Sequence, residues 1–323
     1  MNPRDHLDPE LIEPLEGFLE ATGGGFNLQD IAGMRAMLSG MIAAVKAEVP
    51  AIEGVDAEDL HVPGLGDAPA VPVRLYRPAG RAGAPTATIL WLHGGGYVLG
   101  DVELDDLMAR QMCKDTGCAV ANVGYRLAPE HPYPAALEDA YATLRYLNER
   151  SAKLGVDAAR IGVAGASAGG GLAAGLALMT RDRGEYALAQ QLLIYPALDD
   201  RNVEPAGPKK PESLLWTRAN ALHAWSAYLS GPPGRDTTPA YAAPSRAKHL
   251  AGLPPTYIAV GALDPMLDEN LDYARRLAAA GVGTELHVYP GAYHAFDVFA
   301  PMAAVSARLI ADRNAALVAG LRP

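Results

Sequence analysis

The chain has 323 residues, 50% apolar and 20% charged, so it can bury a large core and is near the upper size for one domain. Its formal charge of -10 at pH 7 gives no electrostatic attraction for nucleic acid or an anionic membrane. Two cysteines, Cys113 and Cys118, are too few for a disulfide framework and lack metal-ligand spacing, so both are predicted to be ordinary buried thiols.

The first residues lack the basic start and the apolar core of a signal peptide, which predicts a cytoplasmic location. The uncharged stretch at residues 161–179 is long enough for a membrane span, but its bulk is glycine, alanine and serine. These residues add little insertion energy compared with Leu, Ile or Phe. We therefore expect no membrane span.

Helices and strands can be predicted along the whole chain. Residues 1–50 carry a helical pattern and are predicted to form an N-terminal helical arm. A polar linker at 53–59 then leads to an alternating strand at 71–76 and an apolar one at 86–92. Further strands are predicted at 118–123, 160–164, 191–195, 256–260 and 285–289, and helices at 135–153, 169–180, 268–280 and 302–321. This alternation predicts an α/β fold, a mostly parallel sheet with helices on both faces.

The alternation stops between residues 199 and 254. This stretch is rich in Pro and Gly at its ends and holds one helical run, at 214–229. Residues 200–253 are therefore predicted to be an insertion that packs over the edge of the sheet. The rest, 51–199 and 254–323, is predicted to be one α/β domain.

The strongest local signal is Gly165-Ala166-Ser167-Ala168-Gly169, between an apolar strand and a helix of small residues. In that position a G-x-S-x-G turn presents a serine nucleophile at the carboxyl edge of the sheet. Glycines flank the serine because the strained turn tolerates only small neighbours. Glycine-rich turns after strands also bind phosphate or let a helix pack closely, so the motif alone leaves those interpretations open.

A run of glycines, His93-Gly94-Gly95-Gly96, follows the apolar strand at 86–92. Bare glycine amides can approach a ligand closely, and a loop at this position can donate to an oxyanion. We expect the amides of Gly94 and Gly95, together with that of Ala168, to form an oxyanion hole. His93 is predicted to brace this loop through a hydrogen bond rather than to act as a base.

A serine nucleophile needs a histidine base and a carboxylate that orients it. His294 follows the last predicted strand, at the edge where ligands bind in open α/β sheets. Asp264 ends the preceding strand and is favoured over Asp268 and Glu269, which fall in the first turn of the next helix. The chain order Ser, Asp, His is the one expected for such a triad.

Together these motifs resemble those of the bacterial hormone-sensitive-lipase family of esterases, in the α/β-hydrolase superfamily. The resemblance runs from about residue 71 to the C-terminus. It is carried by His93-Gly-Gly-Gly, Tyr125-Arg-Leu-Ala-Pro-Glu-His-Pro-Tyr-Pro-Ala, Gly165-Ala-Ser-Ala-Gly-Gly, Asp264-Pro-Met-Leu-Asp-Glu and Tyr289-Pro-Gly-Ala-Tyr-His-Ala-Phe. Two positions depart from the family pattern: Ala166 stands where Asp or Thr is usual, and Gly124 where an acidic residue is common.

The resemblance implies an α/β-hydrolase fold with a helical cap built from the arm and the insertion. It also implies hydrolysis of esters with short to medium acyl chains, no cofactor or metal, and frequent homodimers. The insertion residues Leu214, Leu215, Trp216 and Trp225 could line an acyl pocket, although aromatic residues at helical spacing are more often core.

The expected reaction passes through an acyl-enzyme on Ser167, with His294 as base and Asp264 as its partner. An amidase, an arylformamidase or a sugar-ester deacetylase would share every one of these residues, so the sequence leaves those alternatives open. A small-molecule receptor that has lost catalysis is a different class, and the retained triad and glycine loop argue against it. The expected partner is a small-molecule ester.

Overall fold

The computed structural model describes residues 3–80, 85–203 and 213–322. Within these ranges the strands are β1 (Val55–Val62), β2 (Val71–Pro78), β3 (Thr86–Leu92), β4 (Ala119–Val123), β5 (Val156–Ala166), β6 (Gln190–Ile194), β7 (Thr256–Gly261) and β8 (Thr284–Tyr289). They form a single sheet in the order β1-β2-β4-β3-β5-β6-β7-β8. Strands β3 to β8 are parallel, whereas β2 is antiparallel to both β1 and β4. The predicted mostly parallel sheet is confirmed.

Helices surround this sheet. Those described are α1 (Ile12–Ala21), α2 (Ile31–Glu48), α3 (Asp106–Thr116), α4 (Ala135–Glu149), α5 (Ser151–Leu154), α6 (Ala168–Arg183), α7 (Arg218–Tyr228), α8 (Leu267–Ala279), α9 (Phe296–Phe299) and α10 (Ala304–Gly320), with short 3-10 turns at Pro3–His6, Pro9–Leu11 and Pro244–Arg246. Residues 204–212 of the predicted insertion lie outside the described residues.

Alternate residues of the central strands enter two separate hydrophobic cores. In β3, Leu90 and Leu92 belong to one core, which is covered by α4 and α6. Their neighbours Ile89 and Trp91 belong to the other, which is covered by α1, α3 and α10. Side chains alternate between the two faces of a strand, so a sheet that is buried on both faces requires strands that are apolar at every position. The central strands of this sequence have such continuous apolar runs.

The sheet begins on a strand that the sequence pattern does not reveal. Residues 53–59 read as a polar linker, yet Val55–Val62 forms β1 and pairs with β2 along its whole length. Only Val62 of this edge strand is buried. The prediction of a linker was wrong because a strand with so little buried surface carries no hydrophobic alternation.

The uncharged stretch at 161–179 divides between β5 and α6, as expected. Its small residues let α6 lie against the sheet, because a Cβ at Gly169 would clash with the carbonyls of Leu92 and His93. In the described ranges no helix has the length and apolar character needed to cross a membrane.

The two cysteines are buried free thiols, as predicted. Burial raises the pKa of Cys113 to about 12 and also raises that of Cys118. Neither thiol is activated for chemistry.

Candidate active site

Ser167 stands in a strained turn between β5 and α6. Its φ of +55° is a left-handed conformation that non-glycine residues rarely adopt. A Cβ at Gly165 would clash with the backbone of Gly169, so the two flanking glycines are required by close packing. The Ser167 amide donates to the carbonyl of Ile194 at 2.9 Å, which ties the turn to the neighbouring strand β6.

Asp264 and His294 reach Ser167 from two further strands of the sheet. Asp264 follows β7 and His294 follows β8, so all three side chains lie beyond the carboxyl ends of parallel strands. His294 Nε2 is 2.9 Å from Ser167 Oγ, and His294 Nδ1 is 2.7 Å from Asp264 Oδ2. The structure therefore brings the three predicted residues into one continuous hydrogen-bonded chain.

The surroundings of these three hydrogen-bonded residues favour a proton transfer from serine to histidine. The three residues are 7%, 5% and 4% exposed in the order Ser167, Asp264 and His294. The second oxygen of Asp264 accepts the amide of Met266 at 2.8 Å, which fixes the carboxylate. With neutral imidazole, Ser167 Oγ–H donates to Nε2 while Nδ1–H donates to the carboxylate.

The two rival carboxylates have other surroundings. Asp268 is exposed, and Glu269 is buried. Glu269 accepts the amide of Leu198 at 2.7 Å and the side-chain amide of Asn202, also at 2.7 Å. Neither residue has a hydrogen bond to His294 within the described part of the chain.

The glycine loop lies directly beside the serine. A Cβ at Gly94 would be 3.6 Å from the Cβ of Ser167. Gly95 has a φ of +113°, and its carbonyl accepts the amides of Val98 and Leu99, which closes a tight turn. Among the described residues no acceptor is found for the amides of Gly94, Gly95 and Ala168. These amides are free to donate to a ligand oxygen, as an oxyanion hole requires.

His93 is buried under this loop and stacks on Tyr125, with ring centroids 4.1 Å apart and planes 13° apart. Its Nδ1 donates to the carbonyl of Gly94 at 2.7 Å, and the Tyr125 hydroxyl donates to the His93 carbonyl at 2.7 Å. Burial lowers the pKa of His93 to about 4. These contacts favour the predicted bracing of the loop.

The four residues predicted to bind substrate are not equally close to the site. Trp216 lies over the glycine loop, since a Cβ at Gly96 would be 2.5 Å from its ring, and its centroid is 6.2 Å from that of His294. Trp225 packs in the core against Tyr97, 5.2 Å between centroids. Leu215 is buried in the core that α1 and α10 cover, and Leu214 is partly buried against that core.

An aromatic cluster that the sequence analysis missed continues outward from Trp216. Phe26 is 5.7 Å from Trp216, and Phe18 and Phe299 lie 5.2 Å and 6.2 Å from Phe26. The chain has only four phenylalanines, and three are in this cluster. The small number of phenylalanines draws attention to them in the sequence, but nothing in the sequence indicates that these three side chains pack together.

The site does not include a metal centre in the described ranges. No group of three or more His, Cys, Asp or Glu side chains there could hold a metal ion.

Comparison with known proteins places the chain in a family. The alpha/beta hydrolase fold family matches residues 89–298. The chain is 43% identical to Esterase LipI of Mycobacterium tuberculosis, over 68% of this chain and 70% of that protein, and 39% identical to Carboxylesterase NlhH of the same organism, over 79% of both. The solved structure "Bacterial Heroin Esterase" has a TM-score of 0.92 and 41% identity over 99% of both chains. The chain therefore belongs to the hormone-sensitive-lipase-like family of esterases within the α/β-hydrolase fold.

Proposed function

We propose that this carboxylic ester hydrolase cleaves esters with short to medium acyl chains through an acyl-enzyme on Ser167. The single observation that carries the proposal is the hydrogen-bonded chain from Ser167 Oγ through His294 to Asp264, at 2.9 Å and 2.7 Å. A serine hydroxyl is a poor nucleophile unless a base accepts its proton, and this arrangement supplies one.

The first step is attack of Ser167 Oγ on the ester carbonyl as its proton passes to His294 Nε2. Asp264 holds the imidazole in the required tautomer and stabilises its positive charge. The amides of Gly94, Gly95 and Ala168 donate to the oxygen that becomes negative. The alcohol leaves with the proton from His294, and an acyl-enzyme remains.

In the second step His294 accepts a proton from water, which attacks the acyl carbonyl and releases the acid. The same amides stabilise the second oxyanion. These steps need only the named groups and water. His93 keeps its bracing role, because its Nδ1 is occupied by the Gly94 carbonyl and burial keeps its imidazole neutral.

The arm and the insertion would form the cap that limits acyl length. From the arm, Arg35 of α2 donates to the carbonyls of Val98 and Ala128, at 2.7 Å and 2.9 Å, just beyond the glycine loop. From the insertion, Trp216 lies over Gly96. Residues 51–199 and 254–323 would form the catalytic domain. The packing of Trp216 on the glycine loop supports a preference for short to medium acyl chains over long ones.

Labelling with a fluorophosphonate tests the nucleophile. We expect one covalent adduct on Ser167, and none on Ser167→Ala, whose kcat on an aryl acetate should fall by roughly 10⁴ to 10⁶. Ser306→Ala is the matched control, because Ser306 is also buried but bonds the Phe296 carbonyl. A Ser167→Ala variant that keeps a tenth of wild-type activity would refute the assignment.

A substrate panel tests the reaction class and the acyl preference. Acetyl and butyryl esters should give a higher kcat/KM than an octanoyl ester, since Trp216 over the glycine loop would restrict the longest chain. Anilides, N-formylkynurenine and acetylated sugars represent the amidase, arylformamidase and deacetylase alternatives. A higher kcat/KM on one of these would replace the ester proposal, and absence of any labelling would indicate a receptor.

A further inference from the structure

Two side chains outside the triad contact His294 or lie close to it. Tyr195 directly follows β6, and Asp297 lies in the short helix α9, which begins just after His294. The Tyr195 ring meets the imidazole of His294 edge to face, with centroids 4.8 Å apart and planes at 65°. Its hydroxyl donates to Asp297 Oδ1 at 2.8 Å. One tyrosine therefore contacts the base and holds a carboxylate beside it.

The backbone of Tyr195 is held in an unfavourable conformation to make these contacts. Its φ is +36°, in the left-handed region that a bulky residue rarely adopts. The Tyr195 amide donates to the carbonyl of Ala259 at 2.6 Å, which ties it to β7. Strain of this kind persists only where the surrounding structure enforces it, and it concentrates at functional sites.

Asp297 is placed near His294 because it accepts the hydroxyl of Tyr195, whose ring meets the imidazole. A positive charge on His294 lowers the pKa of Asp297. The pKa of Asp297 is raised overall, chiefly by burial, and the Tyr195 hydroxyl and the charge of Arg313 partly offset this and favour the carboxylate. Arg313 is itself buried. A carboxylate near an imidazole favours the imidazolium, because each charge stabilises the other.

We propose that Asp297, held by Tyr195, is a second carboxylate that positions His294 and stabilises its positive charge during acyl transfer. Asp264 orients the ring through Nδ1, and Asp297 adds negative charge without a hydrogen bond to the imidazole. Tyr195 and Asp297 are positioning residues. The inference rests on the proposed function, in which His294 is the base.

Other charged groups around this pair must be considered in any pH experiment. Asp264 faces His294 from the loop after β7, and Arg313 faces Asp297 from α10. Asp105, before α3, accepts the indole N–H of Trp91 at 2.6 Å, and burial raises its pKa to about 6. Tyr293 lies near Asp297, and burial raises its pKa beyond the range in which an esterase is assayed. The pKa of Asp105 lies within the assay window, and Asp105 is present in every variant below.

The test measures two pH profiles, kcat/KM on an aryl acetate and the rate at which a fluorophosphonate labels Ser167. In Asp297→Asn we expect the acid limb of both profiles to move roughly 0.5 pH unit lower, because the imidazolium loses a neighbouring negative charge. In Tyr195→Phe we expect a smaller move in the same direction, since the carboxylate loses the donor that favours its charged form. The double variant should move no further than Asp297→Asn.

A second tyrosine–aspartate pair supplies the matched control. Tyr289 donates to Asp312 Oδ2 at 2.8 Å, the same length as the bond from Tyr195 to Asp297, but Asp312 bonds His287 instead of facing His294. Tyr289→Phe and Asp312→Asn should keep the wild-type acid limb. A shift of equal size in these controls would mean general loosening of the fold and would overturn the proposal.

Acid limbs that coincide with wild type in Asp297→Asn and Tyr195→Phe would also overturn it. If Asp297→Asn does not melt cooperatively, the Tyr195→Phe profile decides alone, a lower limb supporting the role and an unchanged limb refuting it. A wild type that neither hydrolyses nor labels contradicts the proposed function. If the wild type is labelled and Asp297→Asn has the same acid limb as the wild type, only the role of Asp297 is contradicted.

Discussion

Asn202 and Glu269 are joined by a hydrogen bond of 2.7 Å, from the side-chain amide of Asn202 to Glu269 Oε2. The same amide nitrogen donates to the carbonyl of Pro265 at 2.9 Å, one residue after Asp264. The Asn202 carbonyl oxygen accepts Arg218 Nη1 at 3.0 Å, at the start of α7. One side chain thus links the insertion to the loop that carries the carboxylate of the proposed triad.

Replacing Asn202 with alanine should lower both stability and activity. Glu269 and the Pro265 carbonyl would each lose a donor, so we expect the free energy of unfolding to fall by about 1–3 kcal/mol. We expect kcat/KM to fall several-fold, because the loop after Asp264 is no longer held. Asn148→Ala is the control, since Asn148 makes a 2.8 Å bond to Leu144 within α4, remote from the site. Equal activity losses in the two variants would contradict the link.

Glu269 should make the protein less stable as the pH rises. Burial raises the pKa of Glu269 from 4.5 to about 8, so the folded state holds a proton that the unfolded chain has released. Stability from this group is fully present below about 4.5 and is lost as the pH rises through about 8. Denaturant unfolding between pH 5 and pH 8 should show this decline in wild type and a flatter curve in Glu269→Gln. Glu13 is exposed, so Glu13→Gln is the control and should lose stability with rising pH as the wild type does. The same loss of stability in Glu269→Gln would refute the prediction.

His294 and His93 should differ when each is replaced by alanine. His294→Ala removes the proposed base and should reduce kcat by roughly 10⁴ or more. His93→Ala removes the stack on Tyr125 and the bond to the Gly94 carbonyl, so it should lose less activity, together with some stability. Steady-state kinetics and thermal melts of the two variants check this order. A larger loss of kcat in His93→Ala would mean that the base is wrongly assigned.

Gly96→Ala should impair catalysis through Trp216. Gly96 and Gly66 have similar left-handed φ angles, +61° and +57°, but only a Cβ at Gly96 would meet a neighbour, the Trp216 ring at 2.5 Å. Both alanine variants should therefore lose roughly 1–2 kcal/mol of stability from backbone strain. Only Gly96→Ala should also lose kcat/KM, by about tenfold or more, as ester kinetics would show. A Gly66→Ala variant with the same kinetic loss would contradict the role of Trp216.

The sequence was sufficient to predict strands β2 to β8 and to nominate the three residues of the proposed triad. Each of these depends on local constraints, such as continuous apolar runs or a turn that only glycine can flank. It could not predict that β4 separates β2 from β3, since strand order depends on packing between distant segments. The bond from Tyr195 to Asp297 joins residues 102 positions apart, and neither belongs to a motif.

Strand β6 lies between β5 and β7, the strands that present Ser167 and Asp264. The chain leaves the carboxyl edge of the sheet after Ile194, beside the proposed triad, and returns to the opposite edge at Thr256, so the intervening stretch begins at the edge where the proposed triad lies. Surface connections tolerate changes in length far better than a sheet tolerates a shift in register. Insertions and deletions in this one stretch could reshape the entrance without moving the reacting groups. Evolution of this chain can therefore diversify its substrates while the chemistry is inherited unchanged.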